Sequence, residues 1–430
     1  MNYLDFIVAA QKFGEPRGIA SICSAHPLVL EAALRHGREY GKPVLIEATC
    51  NQVNQFGGYT GMTPEDFARQ VGELAERVGL PREHLILGGD HLGPLPWARE
   101  PTEVAMGKAA DLVRAFVRAG FTKIHLDCSM PLGGETGVTL ETIAWRTAQL
   151  ARVAEEAAEE RRSALRYVIG SEVPPAGGAR AEEEPPPVTR PEDVAETIEA
   201  MQRAFLSMGL EAAWERVIAL VVQPGVEFGH EVIYEYDRAA AAPLARFIEG
   251  VPGLVYEAHS TDYQLPRALR AMVEDHFAIL KVGPALTFAL REAVFALAHI
   301  EAALGLEPPS GICEAFETAM LSNPDHWRKY YRGDPQSQKL ARQYSLSDRI
   351  RYYWTVPEIQ VAFQRLMRNL GDRPIPLGLL SQYLPDEYRK VRLGELRNHP
   401  RELLLGKVIG VLKTYWWATE SASGKSMAPL

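Results

Sequence analysis

Asp90 and His91 are adjacent at the end of an apolar run, HLILGGD (84–90). A carboxylate and an imidazole are both residue types that can take part in catalysis. A carboxylate beside an imidazole can transfer protons, and the imidazole can also bind a metal ion. Other apolar runs in the chain end in polar or charged residues too. Those residues are Ser24, His26, Glu47, Asn51, Asp127, Glu172, Gln223, Glu227, His259, Ser260, Asp262 and Lys281.

A divalent metal ion would allow these groups to share one site. Carboxylates and imidazoles that are buried together repel one another or stay protonated unless a cation bridges them. His91, Glu172 and His259 are the first candidates for ligands, and Gln223 or Glu227 could complete the shell. The mixed nitrogen and oxygen donors favour zinc, with manganese, cobalt, nickel or magnesium as alternatives.

Several candidates also have a purely structural interpretation. An Asp-His pair alone is a weak signal, and it gains weight from Glu172 and His259 at the ends of two further strands. Glu47 and Asp127 could instead be structural: they could accept hydrogen bonds from backbone N–H groups and complete the layers of side chains that fill the barrel. The histidines at or inside the beginnings of strands are predicted to be structural; they are His84, His125 and His276.

The chemistry indicated is acid–base catalysis next to a carbonyl group. Asp90 could exchange a proton with a substrate hydroxyl, and Glu172 and Glu227 are further catalytic candidates. A helix that begins directly after Gly283 offers its N-terminus to a phosphate group. The residues assigned to substrate binding are Ser24, Glu47, Asn51, Asp127, Ser260, Asp262, Lys281 and Gly283.

Eight apolar, mostly β-branched runs alternate with amphipathic stretches in the first two-thirds of the chain, which predicts parallel strands joined by helices. Eight units over about 250 residues favour a closed (β/α)8 TIM barrel, whose reactive groups gather at the carboxyl ends of the strands. The first strand-to-helix loop lacks the glycine pattern of a dinucleotide fold. The runs are 18–22, 43–49, 84–90, 123–129, 166–172, 217–223, 254–260 and 277–283.

Two segments depart from this rhythm. The Pro-, Gly- and Glu-rich loop 173–193 is interpreted as a flap over the barrel mouth, with a solvated insertion as the alternative. After about residue 300 the pattern is helical only, so we predict a barrel over 1–300 and a helical C-terminal extension over 301–430. Basic residues of this extension could reach over the mouth or form a solvated helix face; they include Arg328, Lys329, Arg332 and Arg342.

Composition narrows the class of protein. The net charge of −9 argues against a nucleic-acid partner. The N-terminus lacks a signal peptide, and no apolar run is long enough to span a bilayer, so we expect a cytoplasmic protein without membrane contact. The four scattered cysteines are expected to be free thiols in a reducing compartment.

Long segments resemble the Z-subunit family of tagatose-bisphosphate aldolase, a divergent relative of class II aldolases. The resemblance implies that Asp90 is the catalytic carboxylate and His91 a metal ligand, with Glu172 and His259 matching two further aldolase positions. The strand-six metal histidine of those aldolases is replaced here, and both of their phosphate loops differ. The segments include IEATCNQVNQFGGYTGM, GGDHLGP, HLDCSMPLGGE, VVQPGVEFGH, YEAHSTDYQ, LKVGPALTFALREA, WRKYYRG and QYSLSDRIRYYW.

The resemblance leaves three functions open. The first is metal-dependent 4-epimerisation of a phosphorylated ketohexose, fructose 6-phosphate to tagatose 6-phosphate, by retro-aldol cleavage and re-addition. The second is a non-catalytic subunit that stabilises a class II aldolase partner, and the third is cleavage of tagatose 1,6-bisphosphate by this chain itself. The changed phosphate loops favour a monophosphate substrate, and a homo-oligomer is also possible.

Overall fold

Eight parallel strands close into a barrel, and each overlaps one of the eight apolar runs, which confirms the predicted (β/α)8 architecture. The structure is a computed structural model that describes residues 2–171 and 186–420. The barrel strands are β1 (Ile19–Ile22), β2 (Val44–Thr49), β3 (Leu85–Leu92), β4 (Lys123–Leu126), β5 (Arg166–Ile169), β6 (Val217–Val222), β9 (Val255–Ala258) and β10 (Phe277–Val282). A short antiparallel pair, β7 (Glu227–Phe228) and β8 (Ile233–Tyr234), lies outside the barrel.

The helices surround the barrel and extend beyond it. Those up to the last barrel strand are α1 (Tyr3–Lys12), α2 (Pro27–Tyr40), α3 (Pro64–Val78), α4 (Thr102–Arg118), α5 (Leu140–Ala158), α6 (Pro191–Ser207), α7 (Glu211–Trp214), α8 (Arg238–Glu249) and α9 (Pro266–Glu274). After β10 follow α10 (Pro284–Ala303), α11 (Ile312–Ser322), α12 (Pro335–Tyr344), α13 (Pro357–Leu370), α14 (Leu377–Tyr383), α15 (Pro385–Arg392) and α16 (Pro400–Thr419).

Local sequence signals explain many helix ends. Thr63 and Asp66 form a capping box at the start of α3, in which each side chain accepts from the other residue's backbone N–H. At the end of the same helix Gly79 has a φ of 74°, a left-handed conformation that glycine adopts without strain. These two ends fix where the loop from β2 stops and where the connection to β3 begins.

The inside of the barrel changes character along its axis. At the amino ends of the strands it is apolar, and α1 plugs it with Leu4, Ile7 and Val8, which pack with strand residues such as Leu45 and Val168. Toward the carboxyl ends charged side chains replace this apolar layer. The chemistry is therefore confined to the carboxyl end, as in other barrels of this type.

The C-terminal helices share one hydrophobic core with the barrel. Helix α16 packs on α2, α9, α10 and β1, so it closes the ring of helices between the last and the first barrel units. The backbone N–H of Gly18 donates to the carbonyl oxygen of Thr419 at 3.0 Å, which ties α16 directly to the start of β1. Between α10 and residue 420 the described chain contains helices and no further strand, as predicted. The division at residue 300 stays a prediction.

Two features of the sequence analysis need separate mention. Glu172 and most of the predicted flap, residues 172–185, lie outside the described residues. Within the described chain, no helix is both long enough and apolar enough to cross a membrane.

Candidate active site and metal centre

The barrel mouth contains a cavity of about 100 Å³ that brings together many of the predicted residues. Its wall is formed by the carboxyl ends of the strands and by one segment of the C-terminal helices. The predicted residues in the wall are Asn51, Asp90, His91, His259, Ser260, Asp262, Lys281 and Gly283. The other wall residues are Cys23, Thr49, Gln52, Tyr59, Phe228, Val282, Pro284, Arg351 and Tyr352.

Three histidine rings meet beside Asp90. The ring centroid of His91 lies 5.1 Å from that of His125 and 4.9 Å from that of His259. The centroids of His125 and His259 are 5.3 Å apart. Each ring has one nitrogen within hydrogen-bond distance of a carboxylate, and the second nitrogen of His91, Nε2, lies 3.7 Å from Asp90 Oδ2. The contacts are His91 Nδ1 to Asp127 Oδ2 at 2.8 Å, His125 Nδ1 to Asp90 Oδ1 at 2.7 Å, and His259 Nε2 to Glu257 Oε1 at 3.0 Å.

This arrangement fits a divalent metal ion. A histidine that donates one ring N–H to a carboxylate presents its other nitrogen as a metal ligand. The Nε2 atom of His125 is buried without a hydrogen-bond partner among the described residues. Ligand atoms of Asp90, His125, Glu257 and His259 all lie within 4.8 Å of one another. Burial lowers the pKa of His259 to about 3, so its ring is neutral and able to bind a metal.

A charged layer lies directly beneath the cavity. Lys123 Nζ is 2.5 Å from Glu47 Oε1 and 2.6 Å from Glu257 Oε2. Lys281 Nζ is 2.5 Å from Glu47 Oε2 and 2.6 Å from Asp90 Oδ1. With Asp127, which contacts His91, four carboxylates outnumber the two lysines and the one imidazole whose pKa is raised, so an excess of negative charge remains that favours a cation.

The pKa shifts follow from this network. Burial opposes ionisation of Asp90, but His91, Lys281 and His125 outweigh it and hold the pKa of Asp90 well below its usual range. Burial also disfavours the charged His91 ring, yet Asp90 and Asp127 raise its pKa overall. The hydrogen bond and charge of His91 outweigh burial at Asp127 and lower the pKa of that carboxyl to about 2. The carboxylates are therefore ionised and available to a cation.

A second group of possible ligands is less suited to a metal. Cys23 lies with Glu47 and Asp90 within ligand distance. Burial raises the pKa of the Cys23 thiol, so the thiolate that binds metals is disfavoured. Lys281 already pairs with both carboxylates. The histidine cluster is the better metal centre.

Backbone geometry adapts the strand ends to the site. His91 has a φ of 49° and Ser260 a φ of 53°, left-handed values that cost a non-glycine residue about 1–3 kcal/mol and are frequent at functional sites. Gly88 lies beside Glu47 in the register of β2 and β3. A Cβ atom there would come within 2.7 Å of Glu47 Cγ, so glycine makes room for the buried carboxylate.

Glu227 lies at the edge of the site on β7. Its carboxylate accepts from the backbone N–H of Phe228 at 2.9 Å and also bonds with the side chain of Ser260. Burial raises the pKa of Glu227 to about 7. A carboxyl group with that pKa can both give and accept a proton at neutral pH.

The helix N-terminus after Gly283 is already satisfied by the protein. Asp262 Oδ1 accepts from the backbone N–H groups of Gly283 at 3.0 Å and Ala285 at 2.8 Å. Burial raises the pKa of Asp262 to about 6. A substrate phosphate would compete with this carboxylate, so the predicted phosphate position at Gly283 is not an open one.

Other predicted residues lie around the cavity and not in its wall. The amide oxygen of Gln223 accepts from the backbone N–H of Gly225 at 2.8 Å. Ser24 accepts from the backbone N–H of His26 and lines a neighbouring cavity of about 500 Å³. Glu47 lies beneath the floor, and Asp127 lies behind His91.

The basic residues proposed to cover the mouth do not line it. Arg328, Lys329 and Arg332 are exposed, and Arg342 pairs with Glu317. The cation that the C-terminal helices do contribute to both cavities is Arg351.

Four site residues were missed or assigned a structural role in the sequence analysis. His125 was expected to be structural, whereas its ring is part of the histidine cluster. Lys123 and His125 are two residues apart on β4, so they share the inner face of that strand, and Glu257 on β9 precedes His259 by the same spacing at the strand's end. That spacing was a usable signal. For Arg351 the sequence carried none, because it lies far beyond the last strand.

The closed parallel barrel with a histidine and carboxylate cluster at its mouth places this protein in the class of (β/α)8 barrels that have a candidate metal centre. The family model of D-tagatose-1,6-bisphosphate aldolase subunit GatZ/KbaZ-like proteins matches residues 4–420. The chain belongs to this family, which confirms the resemblance seen in the sequence.

Solved structures with this fold include one close neighbour. A crystal structure from Sinorhizobium meliloti 1021, described as a probable tagatose 6 phosphate kinase, shares 49% identity at a TM-score of 0.87. The match covers 94% of this chain and 100% of that chain. The YdjI aldolase from Escherichia coli K12 is 12% identical with a TM-score of 0.40, over 86% of this chain and 96% of its own. Fructose-bisphosphate aldolase (Fba) from Campylobacter jejuni is 14% identical with a TM-score of 0.43, over 85% and 90%.

Proposed function

We propose that this protein is a metal-dependent 4-epimerase of ketohexose 6-phosphates, which interconverts fructose 6-phosphate and tagatose 6-phosphate. The observation that carries the proposal is the cluster of His91, His125 and His259 around Asp90, in which Nε2 of His125 is buried and has no hydrogen-bond partner within the described part of the chain. The family description and that of the Sinorhizobium meliloti neighbour both name phosphorylated tagatose, which supports this substrate class.

The histidines and their carboxylates would hold the metal ion. His125 and His259 would each offer a nitrogen within the group of close ligand atoms, and His91, whose ring lies beside both, would be a further ligand. Asp127, Asp90 and Glu257 would orient the three rings. Nitrogen and oxygen donors of this kind suit zinc, with manganese, cobalt, nickel or magnesium as alternatives. When bound, the ion supplies Lewis-acid polarisation of the substrate carbonyl.

Asp90 is placed to move the proton of the reaction. It lines the cavity, and Lys281 and His125 fix its carboxylate. Asp90 takes the proton of the C4 hydroxyl, and the electrons of the C3–C4 bond move to the C2 carbonyl oxygen. This gives an enediolate and an aldehyde that carries the phosphate. The aldehyde turns, C3 attacks its other face, and Asp90 returns the proton.

The cavity volumes agree with a ketohexose phosphate that spans two compartments. The volume of about 100 Å³ next to Asp90 is small for a whole sugar phosphate, since ligand pockets usually measure about 300–1,000 Å³. The neighbouring cavity of about 500 Å³ shares the wall residues Cys23, Gln52, Tyr59, Gly283 and Arg351. The reacting carbons would lie in the small compartment and the remainder in the large one.

Product analysis on the isolated protein tests the proposal. The purified chain is incubated with fructose 6-phosphate and each of the five metals, and its metal content is measured on the same sample. Tagatose 6-phosphate should form, and Asp90→Asn should abolish most of it. If the metal-loaded wild-type protein yields no tagatose 6-phosphate with any metal, the proposal is wrong.

The family description favours a second function, an aldolase subunit. It requires no activity of this chain alone, and a gain in stability or activity of a separate class II aldolase chain on mixing. Cleavage of tagatose 1,6-bisphosphate by the isolated chain is the third possibility, and released triose phosphates would identify it.

A further inference from the structure

We infer that Arg351 is the anion-binding residue of this site and that it holds the phosphate group of the substrate. The inference rests on the proposed function for its choice of ligand. The position of Arg351, its contacts and the pairing of the other cations support it independently.

Arg351 is held in place by uncharged groups. It lies in the 3-10 turn Arg349–Tyr353, and its Nη1 donates to the carbonyl oxygens of Ser347 and Asp348. Its Nη2 donates to the Tyr352 hydroxyl at 2.9 Å. Among the described residues no carboxylate lies within ion-pair distance of it. Asp348 and Asp262 act on its charge only at longer range, and the side chain of Asp348 accepts from Thr287 and pairs with Arg291 at 3.6 Å. The backbone thus fixes the guanidinium but leaves its charge available.

The other positive groups near the cavity, Lys281 and the N-terminus of α10, already contact carboxylates. Lys281 contacts the carboxylates of Glu47 and Asp90. The N-terminus of α10 donates to Asp262. In the part of the wall that the structure describes, Arg351 is therefore the cation without a carboxylate partner.

Arg351 also lies at the correct place for the phosphate. It belongs to the walls of both the small and the large cavity, so it stands where the two join. Tyr59 and Tyr352 flank the same junction, with their rings 4.8 Å apart. A substrate whose C3 and C4 lie beside Asp90 would direct C6 and its phosphate out of the small compartment. A guanidinium is well suited to receive it, because its N–H groups match two phosphate oxygens.

The location has a consequence for the reaction. The phosphate on C6 stays with the aldehyde when the C3–C4 bond breaks. Arg351 would then retain the aldehyde by its phosphate while the other end turns. Retention of that fragment is what separates an epimerase from an aldolase that releases it.

Calorimetric titration tests the assignment without turnover. Metal-loaded wild-type protein, Arg351→Gln and the control Arg332→Gln, an exposed arginine of the same helical extension, are titrated with inorganic phosphate, fructose 6-phosphate and fructose. Loss of a charge-assisted bond predicts binding of both phosphate ligands weaker by about 10–100-fold in Arg351→Gln. Fructose binding should be unchanged, and Arg332→Gln should match wild type.

The outcomes separate this inference from the proposed function. If Arg351→Gln binds the phosphate ligands as wild type does, or if wild type binds none of them, the assignment is overturned. A selective loss without any tagatose 6-phosphate formation by wild type supports Arg351 and refutes the epimerase. If Arg351→Gln fails to fold, as judged by circular dichroism, Arg351→Lys replaces it. Lysine keeps the positive charge but cannot donate two parallel N–H groups to a phosphate, so Arg351→Lys should lose less phosphate affinity than Arg351→Gln and still bind fructose as wild type does.

Discussion

Lys123 provides a stringent test of how the barrel interior is stabilised. Its ammonium group has no solvent exposure and contacts both Glu47 and Glu257. The change Lys123→Met keeps most of the side-chain volume but leaves two buried carboxylates to share Lys281. Breaking a buried ion pair by removing one partner costs about 3–5 kcal/mol. A chain of 430 residues has an unfolding entropy of about 0.9 kcal/mol per kelvin, so the melting temperature should fall by about 3–6 °C if unfolding is cooperative.

Scanning calorimetry on chelator-treated protein measures this shift against a matched substitution. Lys108→Met removes a lysine whose partner is Glu100, at 2.7 Å, with side-chain exposures of 31% and 36%. That pair is worth about 0–1 kcal/mol, so the melting temperature should change by about 1 °C or less. Adding Glu257→Gln to Lys123→Met should cost less than the sum of the single changes, because it removes one unpaired carboxylate. Equal shifts for Lys123→Met and Lys108→Met would refute the reasoning.

Three further predictions concern the site. Asp90→Asn, assayed at saturating metal, should lower turnover of fructose 6-phosphate by about 10²–10⁴-fold, and near-wild-type turnover would require another base. His125→Ala should weaken metal binding at least about 10-fold in a chelator competition, whereas His276→Ala, at the opposite end of the barrel, should not; equal affinities would remove His125 from the metal site. Glu227 keeps its proton to a pKa of about 7 in the folded chain but ionises near 4.5 when unfolded, so between those pH values wild type should lose about 3 kcal/mol of stability relative to Glu227→Gln. Melting temperatures of both proteins from pH 4.5 to pH 8 measure this, and a difference that does not change with pH would contradict the buried state of Glu227.

The eight barrel strands could be predicted because a parallel strand buried on both faces is apolar along most of its length. The same rule located Asp90, His91 and His259 at the mouth, since strand ends in a barrel converge. Boundaries were less certain: β3 continues through His91 and Leu92, whereas β4 stops before Asp127. The short pair β7 and β8 was not predicted, because two-residue strands leave no periodic signal.

The remaining parts of the site depend on contacts that are distant in sequence. His125 looked like the middle of a strand, and only the closed barrel shows that its ring meets His91 and His259. Gln223 is a candidate because it follows a strand, and only the structure shows that its amide oxygen accepts from the backbone N–H of Gly225. Arg351 reaches the mouth because the C-terminal helices fold back over the barrel, and no local pattern near residue 351 encodes that path.

Helix α16 has a consequence for how the protein is made. It packs on the first and last barrel units, and the Tyr415 hydroxyl donates to the carbonyl oxygen of Thr261 at 2.8 Å, in the loop between His259 and Asp262. On the ribosome β1 emerges early, whereas residues 400–419 emerge after all eight strands. Until synthesis reaches α16, the nascent barrel therefore lacks the helix that joins its first and last units and supports residues 259–262, and the apolar surface left exposed would be a binding site for chaperones.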